Sequence, residues 1–166
     1  MAKPPFLGLI IVQVEYSGGE GLNYIDCILT NRTVTVPAIT WFIAQTIKVV
    51  SVIVKEKKVD FTRFVGAGGM PSSHTSYVVS LATVVGKNAG LNSIDFGIAL
   101  AFALVVMQDA AGVRRAAGKQ AEVLNKIIFS NDFLHMDEKL KELLGHTPFQ
   151  VIIGAIMGIV FGVLLG

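Results

Sequence analysis

Two stretches of this chain are long and apolar enough to cross a bilayer, and no other feature narrows its folding options as much. Thr33–Val54 runs for 22 residues with only Pro37, Gln45 and Lys48 interrupting it, and stops against Lys55, Glu56, Lys57 and Lys58. Pro148–Leu165 is apolar almost throughout, with Gly154, Gly158 and Gly162 at four-residue spacing. A helix needs about 20 residues to cross ~30 Å of hydrocarbon, so each suffices. Two shorter segments accompany them. Pro71–Gly86 begins with a proline in its first turn, where a helix tolerates one, and Asn92–Met107 follows. Ser76, Ser80 and Thr83 recur at three- to four-residue spacing in the former, so they share one stripe that should face other helices and not lipid. The expected fold is all-α: a polytopic transmembrane helix bundle of about four spanning helices, with a juxtamembrane helix and an N-terminal arm. Composition agrees, because only 16% of the 166 residues are charged and 52% are hydrophobic, against about a quarter charged in soluble domains. Disordered chains, coiled coils and large extramembrane enzyme domains are excluded.

The apolar run Phe6–Val14 is too short to span, and Gly18-Gly19-Glu20-Gly21 follows it as a turn or linker. It lacks a basic start and a small-residue cleavage site, which disfavours a cleaved signal peptide. Residues 1–30 are therefore expected to form an arm or partly inserted segment, and residues 31–166 the membrane-embedded domain. The single Cys27 allows neither an intrachain disulfide nor a zinc cluster. A net charge of +2 gives no sign of nucleic-acid binding. Charge placement is more informative. Lys55, Lys57, Lys58 and Arg63 follow the first span, and Arg114, Arg115, Lys119, Lys126, Lys139 and Lys141 follow the third, whereas the second and third are joined with only Lys87. Cations are retained on the cytoplasmic side, so both basic loops are expected there and the N-terminal arm outside.

That topology brings three polar clusters to one membrane face. In Gly68-Gly69-Met70-Pro71-Ser72-Ser73-His74, a glycine pair enters a helix whose first turn holds two hydroxyls and an imidazole. Free N–H groups and the positive dipole end make such a start an anion site, although an ordinary capped helix would read the same way. In Asp109–Glu122, read as a helix, Arg115, Lys119 and Glu122 share a face, while Ala110, Val113, Ala117, Leu124 and Ile128 form an apolar stripe. A juxtamembrane helix holding anionic headgroups fits this pattern too. Gly112 and Gly118 before Lys119 do not make a nucleotide-binding loop, since five residues separate the glycines and Gln120 stands where Ser or Thr is required. The third cluster, Leu144-Gly145-His146-Thr147-Pro148, puts a histidine just before the last span. Lys48 lies inside the first span, where lysine costs ~2.5–3.5 kcal/mol on insertion scales. About 10 Å of helix separates it from Lys55, so it either snorkels to the boundary or turns inward as a functional group.

Pro71-Ser72-Ser73-His74 resembles the Pro-Ser-Gly-His motif of the type 2 phosphatidic acid phosphatase and vanadium haloperoxidase superfamily. With Trp41-Phe42-Ile43-Ala44-Gln45, Lys48, the run at 109–121 and Leu144–Pro148, the chain from about Asn31 onward is similar to the small divergent bacterial and plant branch of that superfamily. The resemblance implies a phosphatase-like domain that needs no metal or cofactor. It implies that His146 is the nucleophile forming a phosphohistidine and that His74 protonates the leaving oxygen. Ser72, Ser73, Lys48, Arg63, Arg114 or Arg115, and Lys119 would bind the phosphoryl group. The superfamily's third motif carries an Arg about six residues before its histidine and an Asp four residues after. Here the arginines lie some 30 residues upstream of His146, and Gln150 occupies the acidic position. A neutral amide orients an imidazole but does not stabilise the imidazolium as a carboxylate does. Gln150, Asp109 and Glu122 are the candidates to orient His146.

Two functions of different class follow. One is an integral membrane phosphatase acting on a phosphate monoester or diphosphate, a phospholipid included. The other is a catalytically silent membrane protein holding anionic lipid or a phosphorylated partner in the same cationic pocket; transport of an anion or lipid is a weaker third. Gly154, Gly158 and Gly162 could pack within one bundle or between copies as a homo-oligomer face.

Overall fold

In a computed structural model the described residues are 24–56, 69–129, 139, 140, 142 and 144–166. Arg63, residues 1–23 of the arm expected over residues 1–30, and the remainder of the two basic loops lie outside them. The described residues form helices without strands: α1 (Tyr24–Thr30), α2 (Arg32–Glu56), α3 (Ser73–Ala89), α4 (Ile94–Gln108), a π-helical turn (Asp109–Val113), α5 (Arg114–Phe129) and α6 (Pro148–Leu165). A helix is what lipid demands, because it satisfies its own backbone donors and acceptors where no water can. Three stretches are long and apolar enough to cross a membrane: Arg32–Val54, the run Ile94–Phe129, and Pro148–Leu165.

The boundaries have local causes. Ser72 caps α3, its Oγ accepting from the Thr75 N–H. Ser93 caps α4 in the same way through the Phe96 N–H. At α6, Thr147 and Gln150 form a reciprocal capping box, and Pro148 occupies the first turn, where its missing N–H costs nothing. The third apolar segment does not stop near Met107 as its hydropathy suggests. The helix continues through the π-turn into α5 because the intervening residues, largely Ala, Arg, Lys, Gln and Glu, favour helix regardless of polarity.

α3 is the central helix, packed against α2, α4 and α6. Its hydroxyl stripe faces inward as its spacing implies: Ser76 and Ser80 are fully buried, and Ser80 shares a hydrogen bond of 3.2 Å with Thr40 of α2. Its opposite side builds the apolar core, where Val78 and Ala82 meet Ala99 and Ala103 of α4. α6 runs parallel to α3 at backbone distance. A Cβ on Gly154 would fall 2.6 Å from the Ser72 carbonyl, one on Gly158 2.8 Å from that of Ser76, and one on Gly162 2.6 Å from Thr83 Cβ. The glycine stripe is thus consumed inside the chain, and a second copy would have to displace α3 to use it. At the far end Arg32 and Lys87 donate to the Gly166 carbonyl, and Lys87 also to that of Val163, balancing the negative end of α6.

This arrangement gathers the C-terminal half of α2, the starts of α3 and α6, and the π-turn at one end of the bundle. The starts of α3 and α6 are tied directly, the Ser72 N–H donating to the Gln150 carbonyl at 3.2 Å. Two positive helix ends consequently lie side by side.

Candidate active site

A cavity of about 550 Å3 opens at this end, lined by His74, Tyr77, Asp109, Arg114 and His146, with Trp41, Val78, Phe102, Val105 and Val106 forming an apolar flank. The two histidines, 72 residues apart in sequence, therefore line one chamber.

Lys48 is the most informative side chain. It turns inward and is only 3% exposed, so it does not snorkel. Its Nζ donates to Ser73 Oγ at 3.0 Å, and no carboxylate pairs with it among the described residues. An ammonium buried beside two helix N-termini with a neutral hydroxyl as partner is an unbalanced charge. The hydroxyl wins over the boundary because it is within reach at the first residue of α3. Ser72 and Ser73 are both fully buried; the Ser72 hydroxyl serves the α3 cap and lies 2.9 Å from Thr75 Oγ1.

His146 is held from three sides. Its N–H donates to the Ala110 carbonyl at 2.8 Å, within the π-turn. Gly145, at φ +80°, lies so close to the backbone of Arg114 and Arg115 that any Cβ would collide with it. Its Nδ1 lies 3.3 Å from Gln150 Oε1, which also accepts the Thr147 N–H at 3.0 Å. That second bond decides the ring's protonation. The Thr147 N–H can only donate, so the amide must present its oxygen there; Nδ1, facing the same oxygen, must carry the proton. The lone pair is left on Nε2, which is buried and has no hydrogen-bond partner among the described residues. Burial above all, then the charges on Lys48 and His74, hold the imidazole below its usual pKa range, and the Gln150 bond and the Gly69 backbone beside the ring oppose them.

Asp109 does not contact this ring. Its Oδ2 accepts from Arg114 Nε at 2.5 Å. Glu122 pairs with Lys126 at 2.7 Å on the exposed side of α5, where Lys119 also lies. Arg115 is half-buried against Gly145 and, unlike Arg114, is not in the cavity wall. The buried face of α5 is formed by Gly118, Ala121 and Asn125, while Val113 and Leu124, expected in its apolar stripe, are exposed. The reason is what α5 packs against: polar backbone from the segment leading to His146. Asn125 donates to the Leu140 carbonyl and to Glu142 and accepts the Leu140 N–H. Sequence reasoning missed Asn125 and Tyr77, yet both had signals: Asn125 recurs at helical spacing after Gly118 and Ala121, and Tyr77 lies one turn beyond His74.

With the geometry in place, comparison with known proteins is direct. The sequence profile of the Divergent PAP2 family matches residues 29–161. The chain belongs to this family. It is also similar to YuiD, an uncharacterized membrane protein of Bacillus subtilis (strain 168), at 38% identity over 151 residues covering 83% of this chain and 96% of that protein. No solved structure matches the chain. Family membership together with three apolar helices makes it a membrane protein of the Divergent PAP2 family.

Proposed function

We propose that this chain is an integral membrane phosphatase that hydrolyses a phosphate monoester or diphosphate through a phosphohistidine. The observation that carries this reading is the buried ammonium of Lys48 between two helix N-termini, which meets no carboxylate among the described residues, with the buried His146 Nε2 likewise lacking a hydrogen-bond partner among them. Such a site is electrostatically incomplete without an anion, and phosphoryl transfer depends chiefly on neutralising the equatorial oxygens and aligning the nucleophile. His146 Nε2 attacks phosphorus, the bond to the leaving oxygen breaks, and His74 gives that oxygen a proton. Water then attacks the phosphohistidine, His74 takes its proton, and inorganic phosphate leaves with the His146 lone pair restored. Arg114, in the cavity wall, binds the phosphoryl oxygens directly, and Lys48 with its partner Ser73, buried behind that wall, adds positive potential from within; Arg63, Arg115 and Lys119 supply longer-range positive charge. Gln150 orients His146, and Asp109 acts on Arg114.

The apolar flank of Trp41, Val78, Phe102, Val105 and Val106 favours a substrate whose phosphate is attached to a hydrocarbon, so a phospholipid or other lipid-linked phosphate fits best. α3, central and shielded from lipid by its neighbours, is assigned as the fourth span although only 17 residues long. The basic loops support a cytoplasmic face for the cavity. Residues 31–166 form the catalytic domain and residues 1–30 an accessory arm. One feature favours catalytically silent binding instead: Gln150 offers the imidazolium no negative charge.

The test is phosphate release from a lipid phosphate by the purified protein in detergent with a chelator present. Vanadate should inhibit it and His146→Ala should abolish it, along with acid-labile labelling by a radioactive phosphoryl donor. Full activity in His146→Ala removes the mechanism. Phospholipid binding without turnover across several substrates would establish the silent reading.

A further inference from the structure

Asp109 and Arg114 stand five residues apart, a spacing that on a regular α-helix would separate them by about 140° of rotation. They meet here because the helix is π-wound from Asp109 to Val113, which widens the turn and stacks position i+5 over position i. A π-turn is less favourable than the α-helix on either side, so something must hold it in place. Two contacts do: the Asp109–Arg114 pair itself and the His146 N–H on the Ala110 carbonyl. The pair and the nucleophile loop thus share one backbone distortion.

The pair also differs from the other cation of the site. Lys48 is sealed in, whereas the side chains of Arg114 and Asp109 are 51% and 38% exposed and line the cavity. Arg114 is the only guanidinium in that wall among the described residues, and a carboxylate already occupies it. Resting on the reading of the cavity as a phosphoryl site, we propose that Asp109 is an exchangeable latch: it holds Arg114 while the site is empty, surrenders it to an arriving phosphoryl group, and reclaims it as product leaves. The exchange is chemically even, since phosphate and carboxylate both accept a guanidinium in the same forked geometry. It is also cheap, because solvent-exposed ion pairs are worth at most about 1 kcal/mol. Once Arg114 has moved, the Asp109 carboxylate is left without its partner, so anion binding has to offset the broken pair. Asp109 is therefore a positioning residue that limits affinity for free phosphate, and so keeps the product from blocking a pocket otherwise built to retain it.

The test is calorimetric titration of inorganic phosphate into the purified full chain in detergent. Wild type, Asp109→Asn, Arg114→Gln and the double variant are compared at low and moderate salt, with Asp109→Ser as a second removal of the charge. The latch predicts that Asp109→Asn binds phosphate about two- to fivefold tighter than wild type, with a gap that narrows as salt rises. It also predicts that the gain vanishes once Arg114 is Gln, since the competition is for that side chain. If wild type binds phosphate and neither Asp109 variant binds it more tightly, the latch is wrong while the phosphate site stands. A gain that persists in the Arg114→Gln background overturns the latch as well, because Asp109 would then act by direct repulsion. Absence of phosphate binding in all five proteins overturns the site reading itself.

Discussion

Replacing Lys48 with methionine sets stability and binding against one another, and the structure gives both signs. The lysine is 3% exposed inside α2 and its ammonium meets a hydroxyl but no carboxylate among the described residues. Methionine keeps the unbranched shape and fills the space of the stem, so packing is nearly conserved. On insertion scales a central lysine costs ~2.5–3.5 kcal/mol, and after subtracting about 1 kcal/mol for the lost Ser73 bond a net gain near 2 kcal/mol remains. That corresponds to a rise of about 4–8 °C in Tm for a chain of this size. Oxyanion binding should move the other way. A unit charge about 4 Å from a phosphoryl oxygen contributes about 4 kcal/mol at an effective dielectric of about 20; half of that, allowing for solvent in the open chamber, is about a 30-fold loss of affinity. Thermal melts in detergent and vanadate titration read the two effects on the same preparation. A Lys48→Met protein that melts lower than wild type, or that binds vanadate equally well, would refute the idea that this charge is kept for a ligand at the expense of the fold.

Two further outcomes test the frame and the ring. Gly158→Val places carbon within 2.8 Å of the Ser76 carbonyl and Val79 Cβ, so the parallel α3–α6 pair must spread; a loss of about 1–3 kcal/mol is expected in thermal or denaturant unfolding, with Gly112→Val, in open space, as the silent control. Gln150→Glu keeps the capping box and puts a carboxylate on His146 Nδ1, which raises the ring's pKa from its present depressed value. His146 must be neutral to attack, so the acid limb of the rate profile should shift to higher pH, and turnover on the plateau should rise about fivefold or more as the imidazolium-like intermediate gains a partner; an unmoved limb would mean the ring is not the nucleophile.

The membrane architecture was legible because hydropathy and capping chemistry are local. Pro148–Leu165 appears in the structure with the same ends, and Thr33–Val54 lies within α2. The convergence of His74 and His146 on one chamber followed from counting spans, since helices of matched length return the chain to the same side. What stayed hidden depends on contacts between distant segments. Hydropathy could not distinguish an inward from an outward Lys48, because the deciding acceptor, Ser73, belongs to another helix. Arg114 and Arg115 looked equivalent because their roles are assigned by the π-turn, which exists only where Gly145 and His146 dock on it. Gln150 read as a weakened acid; in three dimensions its amide oxygen places the proton on Nδ1 of His146 and leaves the lone pair on Nε2, and that depends on the neighbouring Thr147 N–H.

The close seating of α6 on α3 also makes α6 a lever. From Gly158 to His146 is twelve residues, an arm of about 18 Å, so a tilt of about 5° at that fulcrum swings the imidazole by about 1.5 Å. Displacements of about 1 Å at a reacting centre cost on the order of a hundredfold in rate. Small side chains introduced deep in the bilayer, far from any phosphate, should therefore extinguish turnover well before they unfold the bundle.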